Sequence, residues 1–225
     1  MHSVLNILIV DSQPLMIECT QKILKKLSRT RSDVEFKIRS AKNCDTADTE
    51  MEKAVLATPF DLVILDIKLQ SSIDKNLLCG QDVAIKLKKL FPKVKIIVVT
   101  ALDNKYRIHN ILQTINPEGF LIKTEIDEKR LRKAINNVID SKPSYTKTVG
   151  KVMRSNISNE FALDKTDRRI LFELSNGITN TEIAKLFDIS KFSYESRKAR
   201  MKDLFDITKG DDKDLIRCAK EKGFV

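Results

Sequence analysis

Apolar residues fall into two alternating patterns along residues 1–139. Short uninterrupted apolar runs predict buried strands, and segments in which apolar residues recur every three or four positions predict amphipathic helices. The strands are predicted at residues 4–10, 34–40, 62–65, 95–99 and 119–122. Five strand–helix units in this order predict an α/β domain with a doubly wound, parallel, five-stranded sheet and helices on both faces.

A polar residue directly follows four of the predicted strands: Asp11, Asp66, Thr100 and Lys123. The carboxyl ends of parallel strands meet at one edge of a sheet, so these side chains should lie close together. Carboxylates can hold Mg²⁺, while a lysine and a threonine can bind phosphoryl oxygens. Each residue alone could simply end a strand, but the four together predict a phosphoryl-transfer site.

Three classes of phosphate-binding or nucleotide-binding enzyme lack residues that they require. A haloacid-dehalogenase-type phosphatase needs an acid two residues after its aspartate nucleophile, where this chain has Lys68. The segment at Gly150 lacks the upstream glycine and the hydroxyl residue of a phosphate-binding loop, and no Gly-x-Gly-x-x-Gly follows a strand. We therefore expect a protein that is not an enzyme.

Residues 160–225 show helical periodicity only. Between the two patterns, residues 140–159 are rich in turn-forming residues, with a short helical pattern near Val149. The sequence thus predicts a first domain over residues 1–139, a linker over residues 140–159 and a small all-α domain over residues 160–225.

The all-α domain contains two short helices on either side of a tight turn at Asp188. The second helix is predicted from the capping residue Ser190 to about Phe205 and is rich in lysine and arginine. This arrangement predicts a helix-turn-helix, and basic residues on its second helix suit contacts with DNA phosphates.

Composition limits the possible settings and partners. The net charge of +10 invites a polyanionic partner, but residues 160–225 hold 14 basic and 13 acidic residues, so their overall charge does not indicate DNA binding. Four scattered cysteines and two histidines indicate neither a zinc site nor a disulfide framework. Neither a membrane-spanning run nor a signal peptide is evident, and we expect a cytoplasmic location.

The first domain resembles a bacterial response-regulator receiver domain on the residues at its strand ends. The resemblance implies a flavodoxin-like fold and phosphorylation by a sensor histidine kinase or a phosphotransfer protein. It also implies site roles: a phosphoacceptor, Asp66; switch and phosphoryl-binding residues, Thr100, Phe120 and Lys123; and metal ligands, Asp11, Asp66 and the carbonyl of Ile67.

One departure from the family pattern concerns the metal. The family usually has two adjacent acids after its first strand, whereas this chain has Asp11 followed by Ser12. A neutral hydroxyl is a poorer ligand for Mg²⁺ than a carboxylate. We therefore expect Mg²⁺ to bind weakly.

The all-α domain resembles the LuxR-type output domain in three segments, 163–171, 177–186 and 201–205. The whole chain is most similar to NarL/FixJ-type regulators, including RcsB-like members. The resemblance places Glu195, Ser196 and Ala199 toward bases, where Glu can accept from cytosine N4 and Ala can touch a thymine methyl. The full set of expected DNA-binding residues is Thr181, Lys191, Glu195, Ser196, Lys198, Ala199, Arg200 and Lys202.

The sequence predicts a DNA-binding response regulator in which phosphorylation of Asp66 drives homodimerisation on double-stranded DNA, without a membrane partner. Two alternatives stay open. Ser12 is compatible with a degenerate receiver that acts without phosphorylation, and Glu195 is compatible with a protein-interaction adaptor that has lost DNA affinity.

Overall fold

The computed structural model describes residues 3–31, 34–155 and 163–225. Residue contacts divide the chain into two compact units. The first unit contains residues 1–103 and 115–155, and the second contains residues 104–114 and 156–225. We call them the sheet unit and the helical unit.

The sheet unit is built on a parallel sheet, which confirms the predicted α/β class. Its strand order is β2-β1-β3-β4-β5-β6. The strands are β1 (Ser3–Val10), β2 (Val34–Ala41), β3 (Leu62–Leu65), β4 (Lys95–Thr100), β5 (Gly119–Ile122) and β6 (Ser144–Tyr145). The first five match the predicted strands, and β6 is an addition to them.

Six helices connect or follow these strands. They are α1 (Pro14–Thr30), α2 (Cys44–Leu56), α3 (Gly80–Leu90), α4 (Lys105–Ile115), α5 (Glu128–Ile139) and α6 (Lys147–Arg154). Helices α1 and α5 join the sheet in one apolar core, in which Leu24, Ile64 and Ile135 are almost fully buried. Residues of β3 are buried on both sides, because a central parallel strand is covered by helices on both faces.

The predicted linker is largely part of the sheet unit. The amide of Ser144 donates to the carbonyl of Glu118 at 3.1 Å, and β6 extends the sheet beyond β5. Helix α6 follows and buries Val149, which confirms a helix near that residue. Two residues carry too little apolar pattern to reveal β6 in advance. Residues 156–159 of the predicted linker lie outside the described residues.

The helical unit contains the last four helices of the chain: α7 (Lys165–Ser175), α8 (Asn180–Leu186), α9 (Lys191–Leu204) and α10 (Asp212–Glu221). Their apolar faces form a separate core around Leu171, Tyr194 and Met201. Helix α7 ends at Ser175 and is followed by Gly177, whose φ of +85° is a left-handed conformation that a residue without a Cβ adopts freely.

Helix α4 also belongs to the helical unit, although its sequence position placed it in the first domain. Asn110 Nδ2 donates to the carbonyl of Leu163 at 3.0 Å, and Asn104 Nδ2 donates to the carbonyl of Glu221 at 3.3 Å. Lys222 Nζ lies 3.8 Å from the centroid of the Tyr106 ring. Periodicity predicts a helix but not the elements that it packs against, so the sequence did not reveal this association.

Candidate functional site

Two carboxylates and one ammonium meet at the carboxyl edge of the sheet. Asp11 follows β1 and Asp66 follows the adjacent β3, and both residues are about 5% exposed. Lys123 follows β5, and its Nζ lies 2.8 Å from Oδ2 of Asp11 and 2.8 Å from Oδ2 of Asp66. We call these three residues the strand-end cluster.

Backbone amides hold the other oxygen of each carboxylate. The amide of Gln13 donates to Asp11 Oδ1 at 2.9 Å, and the amide of Lys68 donates to Asp66 Oδ1 at 3.0 Å. Both bonds run from the residue two positions along, a local arrangement that short acidic side chains favour at the start of a loop. Each carboxylate is therefore fixed in orientation at the edge of the sheet.

The electrostatics of the cluster reflect burial and charge pairing. Burial raises the pKa of Asp11, against the lowering effects of the hydrogen bonds from Lys123 and Gln13. Burial lowers the pKa of Lys123, but its hydrogen bonds to Asp11 and Asp66 outweigh burial and raise the pKa overall. The ammonium is thus held in its charged form between two acids.

The two expected switch residues lie on neighbouring strands. Thr100 ends β4 and is fully buried, and its Oγ1 accepts a hydrogen bond from the amide of Leu102 at 3.4 Å. Phe120 lies fully buried in β5, where it pairs with Val98 of β4. Thr100 pairs with Ile122, the residue before Lys123, so the sheet register brings this hydroxyl residue to the strand-end cluster.

The expected metal ligands are only partly brought together. The carbonyl of Ile67 accepts from the amides of Leu69 at 3.1 Å and Gly80 at 2.9 Å, so both of its lone pairs are used within the loop. Ile67 is therefore a poor ligand candidate. The next carbonyl, that of Lys68, accepts from Ser12 Oγ at 3.4 Å.

These contacts describe how a metal could fit. Asp11 and Asp66, with Ser12 and the Lys68 carbonyl beside them, offer the oxygen ligands that Mg²⁺ requires. Lys123 already occupies one oxygen of each carboxylate. Within residues 3–31, 34–155 and 163–225, no group of three or more His, Cys, Asp or Glu side chains could hold a metal ion. The residues fit a Mg²⁺ bound through two carboxylates.

A glycine fixes the distance between the phosphoacceptor candidate and helix α3. A Cβ built on Gly80 would lie 2.0 Å from the backbone oxygen of Asp66. The amide of Gly80 also donates to the carbonyl of Ile67. Only glycine allows this close approach, and the sequence pattern alone gave no measure of it.

The expected DNA-binding residues lie on α8 and α9 of the helical unit. Three residues, Phe187, Asp188 with a φ of +50° and Ile189, separate α8 from the capping residue Ser190. The side chain of Ser190 accepts from the amide of Ser193 at 3.1 Å. Six residues of the expected set are exposed: Thr181, Lys191, Glu195, Ser196, Ala199 and Arg200.

Lys198 does not face solvent, which corrects its expected role in phosphate contact. The residue is 6% exposed, and its Nζ lies 2.8 Å and 3.0 Å from the two carboxylate oxygens of Asp212 in α10. Asp212 also accepts from Asn180 Nδ2 at 2.9 Å. Lys198 lies on the same side of α9 as Tyr194 and Met201, which are buried in the core.

Lys202 and Arg200 are also bonded within the unit. Lys202 Nζ donates to the carbonyl of Gly210 at 2.9 Å, and Arg200 forms a short ion pair with Asp167. Asp167 is fully buried and also lies 2.7 Å from Arg197. Arg200 keeps about half of its side chain exposed, so it can still reach an external group.

Asp164 completes this group of charges at the N-terminus of α7. Its Oδ2 lies 2.8 Å from Arg197 Nη1. Burial raises the pKa of Asp164, but the hydrogen bonds from Arg197 and the Asp167 amide outweigh it and lower the pKa. We call Asp164, Asp167, Arg197 and Arg200 the arginine–aspartate cluster.

Comparison with known proteins identifies the family of the part of the chain that runs from β1 to α5, with α4 included. Residues 7–136 match the response regulator receiver domain family over more than half of the chain. The chain belongs to the response regulator receiver family. No curated protein matches it.

The whole receiver-containing chain is similar to solved structures of RcsB at about one-fifth identity. One is RcsB from Salmonella enterica serovar Typhimurium bound to promoter rprA with the phosphomimetic BeF3⁻, at 20% identity, a TM-score of 0.66, and 97% and 99% coverage of the two chains. Another contains two RcsB dimers bound to two parallel DNAs, at 20% identity, a TM-score of 0.58, and 97% and 98% coverage. At this identity the likeness shows the fold.

No helix in the described part of the receiver-containing chain is long and apolar enough to cross a membrane.

Three residues that matter to these sites were missed from the sequence. Gly80 and the Lys68 carbonyl are revealed only by distances across loops. Phe192 is 84% exposed near the start of α9, although an aromatic residue on an amphipathic helix is usually assigned to its buried face. The spacing of Phe192 from the buried Tyr194, two positions on, was the available signal that it points away from the core.

Proposed function

We propose that this protein is a response regulator whose Asp66 accepts a phosphoryl group and whose helical unit binds double-stranded DNA. The observation that carries the proposal is the strand-end cluster, in which Lys123 contacts both Asp11 and Asp66. A buried carboxylate beside a charged ammonium is suited to receiving a phosphoryl group, because the ammonium can stabilise the negative charge of the phosphoryl oxygens.

The proposed transfer is a displacement at phosphorus. A carboxylate oxygen of Asp66 attacks the phosphorus of a phosphohistidine on a kinase or phosphotransfer protein. The phosphorus–oxygen bond forms as the phosphorus–nitrogen bond breaks, and the electron pair returns to the imidazole. Lys123 then exchanges its contact with the Asp66 oxygen for one with a phosphoryl oxygen, while the Lys68 amide holds the rest of the carboxyl group.

A bound Mg²⁺ would neutralise part of the charge on the phosphoryl group. Asp11 and Asp66 would hold it, with Ser12 and the Lys68 carbonyl at the side where the family usually has a second acid. We expect weak affinity, because the site loses one carboxylate and Lys123 competes for both of the others.

Thr100 and Phe120 are the residues proposed to couple phosphorylation of Asp66 to dimerisation and DNA binding. Thr100 stands at the end of β4 within the same edge, and Phe120 lies one strand away. A new phosphoryl oxygen near the Thr100 hydroxyl would favour one arrangement of the two side chains, which is how a local charge change biases a two-state element. We expect the phosphorylated state to favour the homodimer.

The output is proposed to be DNA binding through α8 and α9. Two RcsB structures of similar fold contain DNA, and in one of them the DNA is the promoter rprA. In this chain, α9 presents Lys191, Glu195, Ser196 and Ala199 outward, as a helix in the major groove requires. Lys191 and the half-exposed Arg200 are the cations that can reach phosphates.

The experiment is a selection from random double-stranded DNA with the full chain, performed with and without a small-molecule phosphodonor. We expect one enriched sequence, a larger enrichment with the donor, and no donor effect in Asp66→Asn. Sedimentation velocity on the same samples should show more dimer only for the wild type with the donor. Equal enrichment and sedimentation in every sample would reject the phosphorylation-dependent account and favour a degenerate receiver.

A protein-interaction adaptor is the second candidate, and the charge pairing on α9 favours it. Lys198, Lys202, Arg197 and Arg200 all bond to groups of the helical unit, which reduces the charge available for DNA. A chain that selects no DNA sequence even at low salt would support this candidate.

A further inference from the structure

We propose that Phe192 is a specificity-determining residue that contacts the 5-methyl group of a thymine in the major groove. The inference rests on the proposed DNA-binding function and extends it to a residue for which the sequence suggested no role. It would make sequence recognition by α9 depend on apolar contact as well as on charge.

The starting observation is the composition of the outward face of α9. Positions separated by three, four and seven residues lie on one side of a helix. Phe192, Glu195, Ser196 and Ala199 have this spacing, and all four are exposed. Phe192, the aromatic residue of these four, is 84% exposed.

The charge on this face is small. Lys198 and Lys202 bond to groups in and before α10, and Arg197 and Arg200 bond to Asp167. Glu195 adds a negative charge to the face itself. A helix with this surface can discriminate between bases mainly through the side chains that touch base edges, because phosphate contacts carry no sequence information.

The aromatic ring is part of a shaped surface. Phe192 lines a cavity of about 360 Å³ together with Ser193, Ser196, Arg197, Arg200 and Asp164. An apolar wall beside hydroxyl and guanidinium groups matches the mixed character of a base-pair edge. It combines a surface for a methyl group with donors for base or phosphate oxygens.

The neighbours of Phe192 favour nucleic acid over an apolar peptide as the occupant. Lys191 precedes it and is exposed. Both residues lie in the first turn of α9, a helix of 14 residues whose N-terminus carries a partial positive charge. The positive charge around Phe192 attracts a phosphate backbone. Thymine supplies the one apolar group that projects from a base pair into the major groove.

The spacing on α9 also predicts the layout of the site. Seven residues separate Phe192 from Ala199, a rise of about 10.5 Å along the helix at 1.5 Å per residue. Base pairs are about 3.4 Å apart, so the two side chains would contact thymines about three base pairs apart. Glu195 lies between them and can accept from the N4 amino group of a cytosine.

The test uses the DNA sequence that the full chain selects and removes single methyl groups by replacing thymine with uracil. Uracil keeps the hydrogen-bonding groups of thymine and lacks only the methyl. At the thymine contacted by Phe192, the wild type should lose about fourfold in affinity, the expected effect of withdrawing one buried methyl group from contact. Phe192→Ala should bind both probes equally, and Phe192→Leu should retain part of the preference.

Leu56→Ala is the matched control, because Leu56 is another exposed apolar residue, 89% exposed, on helix α2, which is not one of the proposed DNA-binding helices. It should bind DNA with the full wild-type preference for thymine. A uracil penalty that is the same in the wild type and Phe192→Ala at every thymine would overturn the inference while leaving DNA binding intact. Failure of the folded wild type to bind any DNA would overturn both the inference and the proposed DNA-binding function.

Discussion

The strand-end cluster and the arginine–aspartate cluster differ in the ratio of acidic to basic side chains. In the first, Asp11 and Asp66 share the single cation Lys123. In the second, Asp164 and Asp167 balance Arg197 and Arg200, and the fully buried Asp167 contacts both arginines. The sheet edge therefore keeps an excess of negative charge, while the charges near α9 are matched.

This difference separates a site suited to chemistry from a site suited to fixed geometry. An excess carboxylate at the sheet edge can attract Mg²⁺ and can change partners when a phosphoryl group arrives. Matched charges hold the two arginines in place but leave little attraction for distant phosphates. The comparison leads to four predictions, given from the largest expected effect to the smallest.

Removing the shared cation should have the largest effect. Lys123→Met leaves Asp11 and Asp66 facing each other without it, and breaking a buried charge arrangement costs about 3 kcal/mol of unfolding free energy. The loss should shrink at acidic pH, where the carboxylates take up protons, and with added Mg²⁺. Urea unfolding of Lys26→Met is the control, because Lys26 pairs with Glu128 on the exposed surface and the loss of this pair should cost clearly less stability.

The close approach of α3 to Asp66 leads to the second prediction. Gly80→Ala forces a Cβ toward the backbone oxygen of Asp66, so we expect about 2 kcal/mol of destabilisation and slower phosphorylation. Gly150→Ala is the matched glycine control. Its Cβ would approach only the flexible end of Arg154, at 3.6 Å, and an alanine inside α6 should stabilise by about 0.5–1 kcal/mol. Equal stability changes in the two variants would contradict the close approach at Gly80.

Substitutions of two lysines of α9 should have different effects, one on stability and the other on DNA binding. Lys198→Met should lower the stability of the helical unit, because it removes the partner of Asp212, and leave the salt dependence of DNA binding unchanged. Lys191→Ala should leave stability unchanged and reduce the slope of log affinity against log salt concentration by about 1. Reduction of the slope by Lys198→Met would show that Lys198 leaves its buried position to contact phosphate.

The smallest effect is a pH dependence of the helical unit. Burial raises the pKa of Asp212, but hydrogen bonds from Lys198 and Asn180 outweigh burial and lower it below the usual value of 3.8. The folded state therefore binds protons less readily than the unfolded state, so stability is present above the unfolded pKa and falls as pH drops through the folded pKa. Thermal unfolding of Asp212→Asn should show less loss of stability below about pH 4 than that of the wild type. Identical pH profiles of stability in the two proteins would show that Asp212 does not cause the pH dependence.

The sequence predicted the sheet edge well because topology determines where parallel strands end. Asp11 and Asp66 directly follow adjacent parallel strands, so the topology alone predicts that they lie close together. The role predicted for the carbonyl of Ile67 could not be judged from the sequence, because only the hydrogen bonds that it accepts from the amides of Leu69 and Gly80 show where that oxygen points.

The helical unit was harder to predict because the direction of a long side chain depends on its neighbours. Lys198 and Lys191 have the same side chain, but Lys198 is buried and bonded to Asp212. Arg200 likewise reaches Asp167, which lies 33 residues earlier in the chain. Helix positions were predictable from periodicity, whereas these long-range ion pairs were not.

The most direct test of the central claim is the intact mass of the protein after treatment with a small-molecule phosphodonor and Mg²⁺. We expect the wild type to gain the mass of one phosphoryl group, in a form that is lost on treatment with hydroxylamine, which cleaves acyl phosphates. Asp66→Asn should gain nothing, and Ser12→Asp should be modified faster than the wild type. A wild type that stays unmodified while Ser12→Asp is phosphorylated, or equal modification of the wild type and Asp66→Asn, would contradict the assignment of Asp66 as a working phosphoacceptor.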